Sequence, residues 1–137
     1  MKMRLTQAAA GSSDIDYRLL RATVLQAWRD GKVGVAELCD AQLELRRNAE
    51  FCGKSIDSPC PVCEALELVE VTYVFGPRLP SHGRCVTTTK EMIRLKARKQ
   101  TSQAYAVEVC KRCGWNHLLK SYLLGGTRLD SADKVGT

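Results

Sequence analysis

Apolar and polar positions alternate along this chain with two different periods. From residue 15, Ile15, Leu19, Ala22, Leu25 and Trp28 recur at helical spacing, with Tyr17, Leu20 and Val24 widening the stripe. Asp14, or Ser13 before it, can cap this helix, and Gly31 and Gly34 end it. A short helix at Val35–Cys39 and a longer one at Ala41–Cys52, with Asp40 as its cap and Gly53 at its close, complete a helical unit over residues 14–57. From residue 66 the period falls to two. Leu66–Phe75 reads as a strand with Val69, Val71, Tyr73 and Phe75 on one face. Tyr105–Val109 reads as a second strand, with Tyr105, Val107 and Val109 together, and Leu118–Leu124 as a third. Between the first two, Gly76-Pro77 and Pro80-Ser81-His82-Gly83 break the chain, and the capping box Thr88-x-x-Glu91 opens a helix over Thr89–Gln100. Residues 1–13 and 126–137 carry no period and read as disordered ends.

Cysteine placement adds the first chemistry. Four of the seven cysteines form two C-x-x-C pairs, Pro59-Cys60-Pro61-Val62-Cys63 and Val109-Cys110-Lys111-Arg112-Cys113-Gly114-Trp115. Zinc takes four ligands in a tetrahedron, and two intervening residues let both sulfurs of a pair reach one metal. Gly114 provides the positive φ such a turn calls for. The first pair feeds a strand, the second strand runs into the second pair, and the third leaves it, as in a zinc ribbon. The expected fold is therefore α+β: an N-terminal helical unit (14–57), then a three-stranded antiparallel zinc ribbon over residues 58–125 with a helical insertion at 76–103. One structural Zn2+ held by Cys60, Cys63, Cys110 and Cys113 is the expected cofactor, and four thiolates leave no open position for catalysis. The 46 residues between Cys63 and Cys110 exceed the usual compact spacing. A thioredoxin-like redox pair and an iron–sulfur cluster are the other uses of such cysteines. His117, four positions after Cys113, could replace one ligand, but reads as an ordinary residue at a strand start. Cys39, Cys52 and Cys85 read as small buried side chains or idle thiols.

Charge shifts the emphasis to the second half. The chain carries +6 overall, with 9 basic and 8 acidic residues in 1–57 against 12 and 7 in 58–137. Residues 78–99 hold seven basic side chains and one acid, Glu91. Lys90, Arg94 and Arg98 form an i, i+4, i+8 stripe, with Met92, Ile93 and Leu95 docking the other side. Arg84, Lys90, Arg94, Lys96, Arg98, Lys99, Lys111 and Arg112 are the candidates for contact with nucleic acid or an acidic partner. Tyr73, Phe75, Tyr105 and Tyr122 could stack on bases if exposed, although core is the commoner use. A zinc–tetrathiolate site carries about −2, so the metal-loaded chain would be less basic than its sequence. The helices also admit a helix-turn-helix reading with Ala41–Asn48 as recognition helix, against which Glu44 and Glu50 argue. No run of about 18 apolar residues occurs and no signal-peptide pattern opens the chain, so a cytoplasmic protein is expected.

The Asp16-Tyr17-Arg18 start, Cys39-Asp40-Ala41, Pro59 to Cys63 and, above all, Val109-Cys110 through Trp115-Asn116-His117-Leu118 give a resemblance over residues 14–125. They resemble an uncharacterised actinobacterial family described only as a domain of unknown function. That resemblance implies a small cytosolic protein with a zinc-ribbon-like half, and no activity. The functional expectation is a non-enzymatic zinc-ribbon adaptor, monomeric when free, that associates with RNA polymerase, the ribosome or nucleic acid. The alternatives are a thiol-based redox sensor or small enzyme using the remaining cysteines, and a helix-turn-helix regulator.

Overall fold

A computed structural model describes residues 14–126. The expectation of disordered ends falls outside these residues, save for Gly126, whose N–H donates to the Arg98 carbonyl at 3.0 Å. The elements in chain order are β1 (Ile15–Asp16), α1 (Arg18–Arg29), α2 (Val35–Leu38), α3 (Leu43–Cys52), β2 (Lys54–Ser55), β3 (Leu68–Phe75), β4 (Arg84–Val86), α4 (Thr89–Lys96), β5 (Thr101–Cys110) and β6 (Asn116–Gly125).

The sheet has six strands rather than three. Its path is β1-β6-β5-β3-β2, with β4 also on β3, and every pairing is antiparallel. The three long strands are the expected ones: β3 starts two residues later than its period indicated, whereas β5 and β6 are each longer at both ends. The additional strands are two or three residues long, too short to show a period of two. β2 and β4 share the outer edge of β3, at Val69–Glu70 and Thr72–Val74 respectively.

One face of the sheet carries Val69, Val71, Tyr73, Val107, Val109 and Leu118, covered by Leu45 and Ala49 of α3 and by Tyr17. The alternation in β3 and β5 thus places the expected side chains together, with Phe75 and Tyr105 half-buried beside them at 5.7 Å, edge to face. The α3 helix spends its apolar side on this face and shows Glu44, Arg47 and Glu50 to solvent. Tyr73 is fully buried, its hydroxyl accepting from Asn48 Nδ2 at 2.7 Å, and Tyr122 is half-buried, so neither is an exposed stacking platform. Val74 and Ala104 point to the opposite face, where Leu95 of α4, Val86 and Leu124 pack.

The first helix differs from its predicted face. Leu19 is 82% exposed and Ala22 is also exposed, while Tyr17, Arg21, Val24, Leu25 and Trp28 turn inward. Ile15 belongs to β1, so the helix starts later and its inward stripe is rotated. The Asx contact at its start comes from Asp16, whose carboxylate accepts from Arg18 N at 2.9 Å, and not from Asp14. Asp40 likewise does not cap α3, whose cap position is Gln42. In α4, Thr88 caps as expected by accepting from Glu91 N at 3.1 Å. This helix ends at Lys96 instead of Gln100, because the chain turns there to pair Thr101 with Gly125. Leu95 is buried and Met92 packs beside it, but Ile93 is 61% exposed.

Candidate metal centre

The two C-x-x-C segments fold into matching turns at one end of the sheet. In the first, Cys60 N donates to Ala65 O (2.9 Å) and Glu64 N to Cys60 O (3.0 Å). In the second, Cys110 N donates to Trp115 O (2.8 Å) and Gly114 N to Cys110 O (3.0 Å). The fifth residue of each is left-handed: Glu64 at φ 66° and Gly114 at φ 90°. Backbone N–H groups point at the sulfurs. Val62 N lies 3.4 Å from Cys60 Sγ, Cys113 N 3.5 Å from Cys110 Sγ, and Trp115 N 3.4 Å from Cys113 Sγ.

The four sulfurs lie within 4.8 Å of one another. Across the pairs, Cys60 Sγ is 3.8 Å from Cys113 Sγ, and Cys63 Sγ is 3.6 Å from Cys110 Sγ. Zn–S bonds of about 2.3 Å in a tetrahedron put sulfurs about 3.8 Å apart. The donor set, spacing and amide support therefore fit a tetrahedral thiophilic ion. Cys60 and Cys110 are buried, while Cys63 and Cys113 are partly open. Burial pushes the Cys60 thiol up to about 11 and raises Cys113 as well, the latter also through its sulfur neighbours. Burial acts in the same direction on Cys63, but the Ala65 N–H and the neighbouring sulfurs hold that thiol below its ordinary range.

A fifth cysteine borders the cluster. Cys39, at the end of α2, lies with its Sγ 3.4 Å from Cys113 Sγ. Cys52 and Cys85 neighbour each other elsewhere, and burial raises the Cys85 thiol. His117 is not part of the four-residue cluster: it is buried in β6, stacks on Trp115 at 5.9 Å, and has Nδ1 2.7 Å from Leu118 O.

The helices close over the second turn. Ala41 N donates to Gly114 O (3.1 Å), and Asn116 Nδ2 to Asp40 Oδ1 (2.9 Å). Arg46 Nη2 reaches Cys113 O at 3.5 Å. A Cβ on Gly114 would come within 2.2 Å of Arg46 Nη2, so glycine answers both the φ and the close approach. Behind the turn, Trp115 is fully buried and its Nε1 donates to Glu108 Oε2. The same carboxylate oxygen accepts from Arg21 Nε (3.1 Å) and Nη2 (2.9 Å), and the Arg21 guanidinium sits 5.9 Å from the Trp115 ring centre. Leu25, Leu38, Leu68 and Trp115 form the apolar cluster around Cys60 and Cys110. Sequence reading passed over Arg21 and Glu108, and gave Cys39, Asp40 and Asn116 no place beside the cysteine centre. Their contacts join residues 87 and 76 positions apart, which meet only in the fold.

The basic candidates separate into two groups. Lys111 and Arg112 sit on the second turn, where Lys111 Nζ approaches Glu50 Oε1 at 3.9 Å and Arg112 is exposed. Arg84, Lys90, Arg94, Lys96, Arg98 and Lys99 lie at the other end of β5, roughly 30 Å away for a ten-residue strand. The sequence places the insertion between the cysteine pairs, but the sheet carries it to the opposite end. Lys90, Arg94, Lys96 and Lys99 are exposed. Arg84 pairs with Glu91, and the half-buried Arg98 lies beyond the helix, donating to Pro77 O, so the expected three-residue stripe is broken after Arg94.

A small α+β domain with a four-cysteine centre is thus the class this chain defines. It belongs to the family of unknown function (DUF5318), whose match runs over residues 9–136. Uncharacterised proteins of Mycobacterium tuberculosis and Mycobacterium bovis are each 41% identical over 114 residues, covering 83% of this chain and 83% of each relative. The family is therefore actinobacterial in these members. No solved structure matches the chain. Among the described residues, no helix is long and apolar enough to cross a membrane.

Proposed function

We propose that this chain is a non-enzymatic, zinc-stapled adaptor that docks on transcription or translation machinery in the cytoplasm. The observation carrying this reading is the four-sulfur cluster, whose 3.6–3.8 Å cross-pair spacings match a closed tetrahedral zinc site. Zinc there would act as a structural cross-link between the two turns, with every coordination position taken by cysteine. The exposed basic groups around α4 supply a face for a nucleoprotein partner. The test is metal analysis of the purified chain, followed by affinity purification from an actinobacterial cell with and without nuclease. One zinc per chain and recovery of RNA polymerase or ribosomal proteins are expected. A metal-free folded chain, or recovery of neither machine, would overturn the reading.

One observation favours a second reading as a thiol-based sensor: Cys39 lies 3.4 Å from Cys113, beside the cluster rather than in it. Thiol-reactivity mapping with zinc bound separates the two, because uniformly inert cysteines remove the sensor.

A further inference from the structure

Arginines and lysines of the basic insertion are sorted by position. Arg78, Arg84, Arg94 and Arg98 line one cleft of about 440 Å³ with Leu95 and Glu91, whereas Lys90, Lys96 and Lys99 do not. Guanidinium groups grip phosphate oxygens bidentately, while ammonium groups act as point charges, so a lining whose cations are all arginines suits phosphate better than a general acidic surface. Glu91 neutralises one arginine by pairing with Arg84, and Thr87 N donates to its other oxygen at 3.2 Å, which holds this pair in place. Neither Arg78 nor Arg94 has an ion-pair partner among the described residues. Nη1 of Arg98 is buried and has no acceptor among the described residues, although the same guanidinium is fixed by Nη2 on Pro77 O. Arg98 therefore lines the cleft as a charged guanidinium already held in position. Arg78 is held left-handed at φ 66°, a backbone state that non-glycine residues avoid and that clusters at ligand sites.

We infer that this cleft binds a multiply charged phosphoryl group, either a free pyrophosphate moiety or the 5′-phosphorylated end of an RNA. Three arginines beyond the Arg84–Glu91 pair match a group carrying at least two negative charges better than a single internal phosphodiester. The inference rests on the docking reading for its basic face, and the two fail differently. The docking reading fails on the absence of polymerase and ribosomal proteins, whereas the cleft fails on phosphate titrations alone.

The experiment is calorimetric titration of the full zinc-loaded chain with pyrophosphate, and with short RNAs bearing a 5′-triphosphate or a 5′-hydroxyl. Saturable pyrophosphate binding is expected, and the 5′-triphosphate RNA should bind more tightly than its 5′-hydroxyl counterpart if the source is an RNA end. The double variant Arg78→Gln/Arg94→Gln, both exposed positions, should weaken pyrophosphate at least about tenfold, a loss of about 1.4 kcal/mol. Lys96→Gln/Lys99→Gln, which removes the same charge outside the cleft, should change it less than about twofold. Thermal melts of both variants verify folding. Equal weakening by the two double variants would overturn the assignment, as would no pyrophosphate binding with equal affinity for the two RNAs.

Discussion

At the cysteine end of the sheet, the polar groups behind the second turn are buried or half-buried and are answered, although Arg112 on the turn itself is exposed. Glu108 takes Arg21 and Trp115, Asn116 takes Asp40, and the four sulfurs take backbone N–H groups. At the α4 end, roughly 30 Å along β5, cations are mostly exposed and outnumber their partners. The contrast separates two kinds of polar investment. Buried ionic groups are costly to break because the remaining partner stays desolvated. Exposed ones contribute little to stability and remain available to a ligand. The cysteine end is therefore built to hold, whereas the arginine end contributes little to holding the fold, as the proposed phosphate cleft requires.

The largest expected effect lies in the sulfurs. Cys110→Ser should abolish stoichiometric zinc and the cooperative thermal transition of the whole domain, since Cys60 and Cys110 sit in one apolar cluster with Leu25 and Leu38 of the helices. Metal analysis and a circular-dichroism melt check this. A variant that kept full zinc content and an unchanged melt would break the comparison.

Next comes the carboxylate behind the second turn. Arg21→Met should cost about 3–5 kcal/mol by urea unfolding, because it strands a Glu108 side chain that is only 5% exposed. A loss under about 1 kcal/mol would place this pair with the surface bridges and erase the difference between the ends.

The two turns provide an internal control of smaller size. Gly114→Ala must fit a Cβ against Arg46 at a positive φ and should cost about 1–3 kcal/mol. Glu64→Gly, at the matching position of the first turn, should stabilise by up to about 1 kcal/mol, since it relieves the same left-handed backbone. Urea midpoints of opposite sign are the expected result.

The smallest effect is at the arginine end. Glu91 is held below the usual carboxylate range: burial opposes this, but Arg84 and the Thr87 N–H outweigh it. A depressed folded-state value stabilises the fold above the unfolded carboxylate range, and that contribution is lost as pH falls through the lowered value. Glu91→Gln should remove up to about 1 kcal/mol at neutral pH and nothing once the carboxylate is protonated. Paired melts at pH 7 and in acid, with wild type alongside, measure this.

How much of this was legible follows the range of each interaction. The four-cysteine cluster was readable because a C-x-x-C pair is local, and Gly114 disclosed its turn for the same reason. The faces of β3 and β5 were readable because alternation persists over eight and ten residues. By contrast, β1, β2 and β4 carry two or three residues each, and only their partners make them strands. The rotated face of α1 was hidden because an inward arginine, Arg21, occupies a place that an apolar count assigns elsewhere. Nor did the sequence disclose that the basic insertion lies far from the cysteine cluster, since chain order places it between the two pairs and only the antiparallel pairing of β3 with β5 carries it away.

That pairing also sets a timetable for synthesis. Cys63, the second cysteine of the first pair, leaves the ribosome 47 positions ahead of Cys110, which at about 5–20 residues per second is a lead of roughly 2–9 s. During that interval a nascent chain presents one C-x-x-C pair and a β3 whose long β5-facing edge is open, with only the short β2 and β4 to pair it. The fold then closes from its last strands: β5 completes the pairing of β3, and β6 alone gives β1 its partner, Ile15 with Ser121. A message truncated before the codons for β6 would yield a polypeptide with both C-x-x-C pairs but no place for β1 to dock.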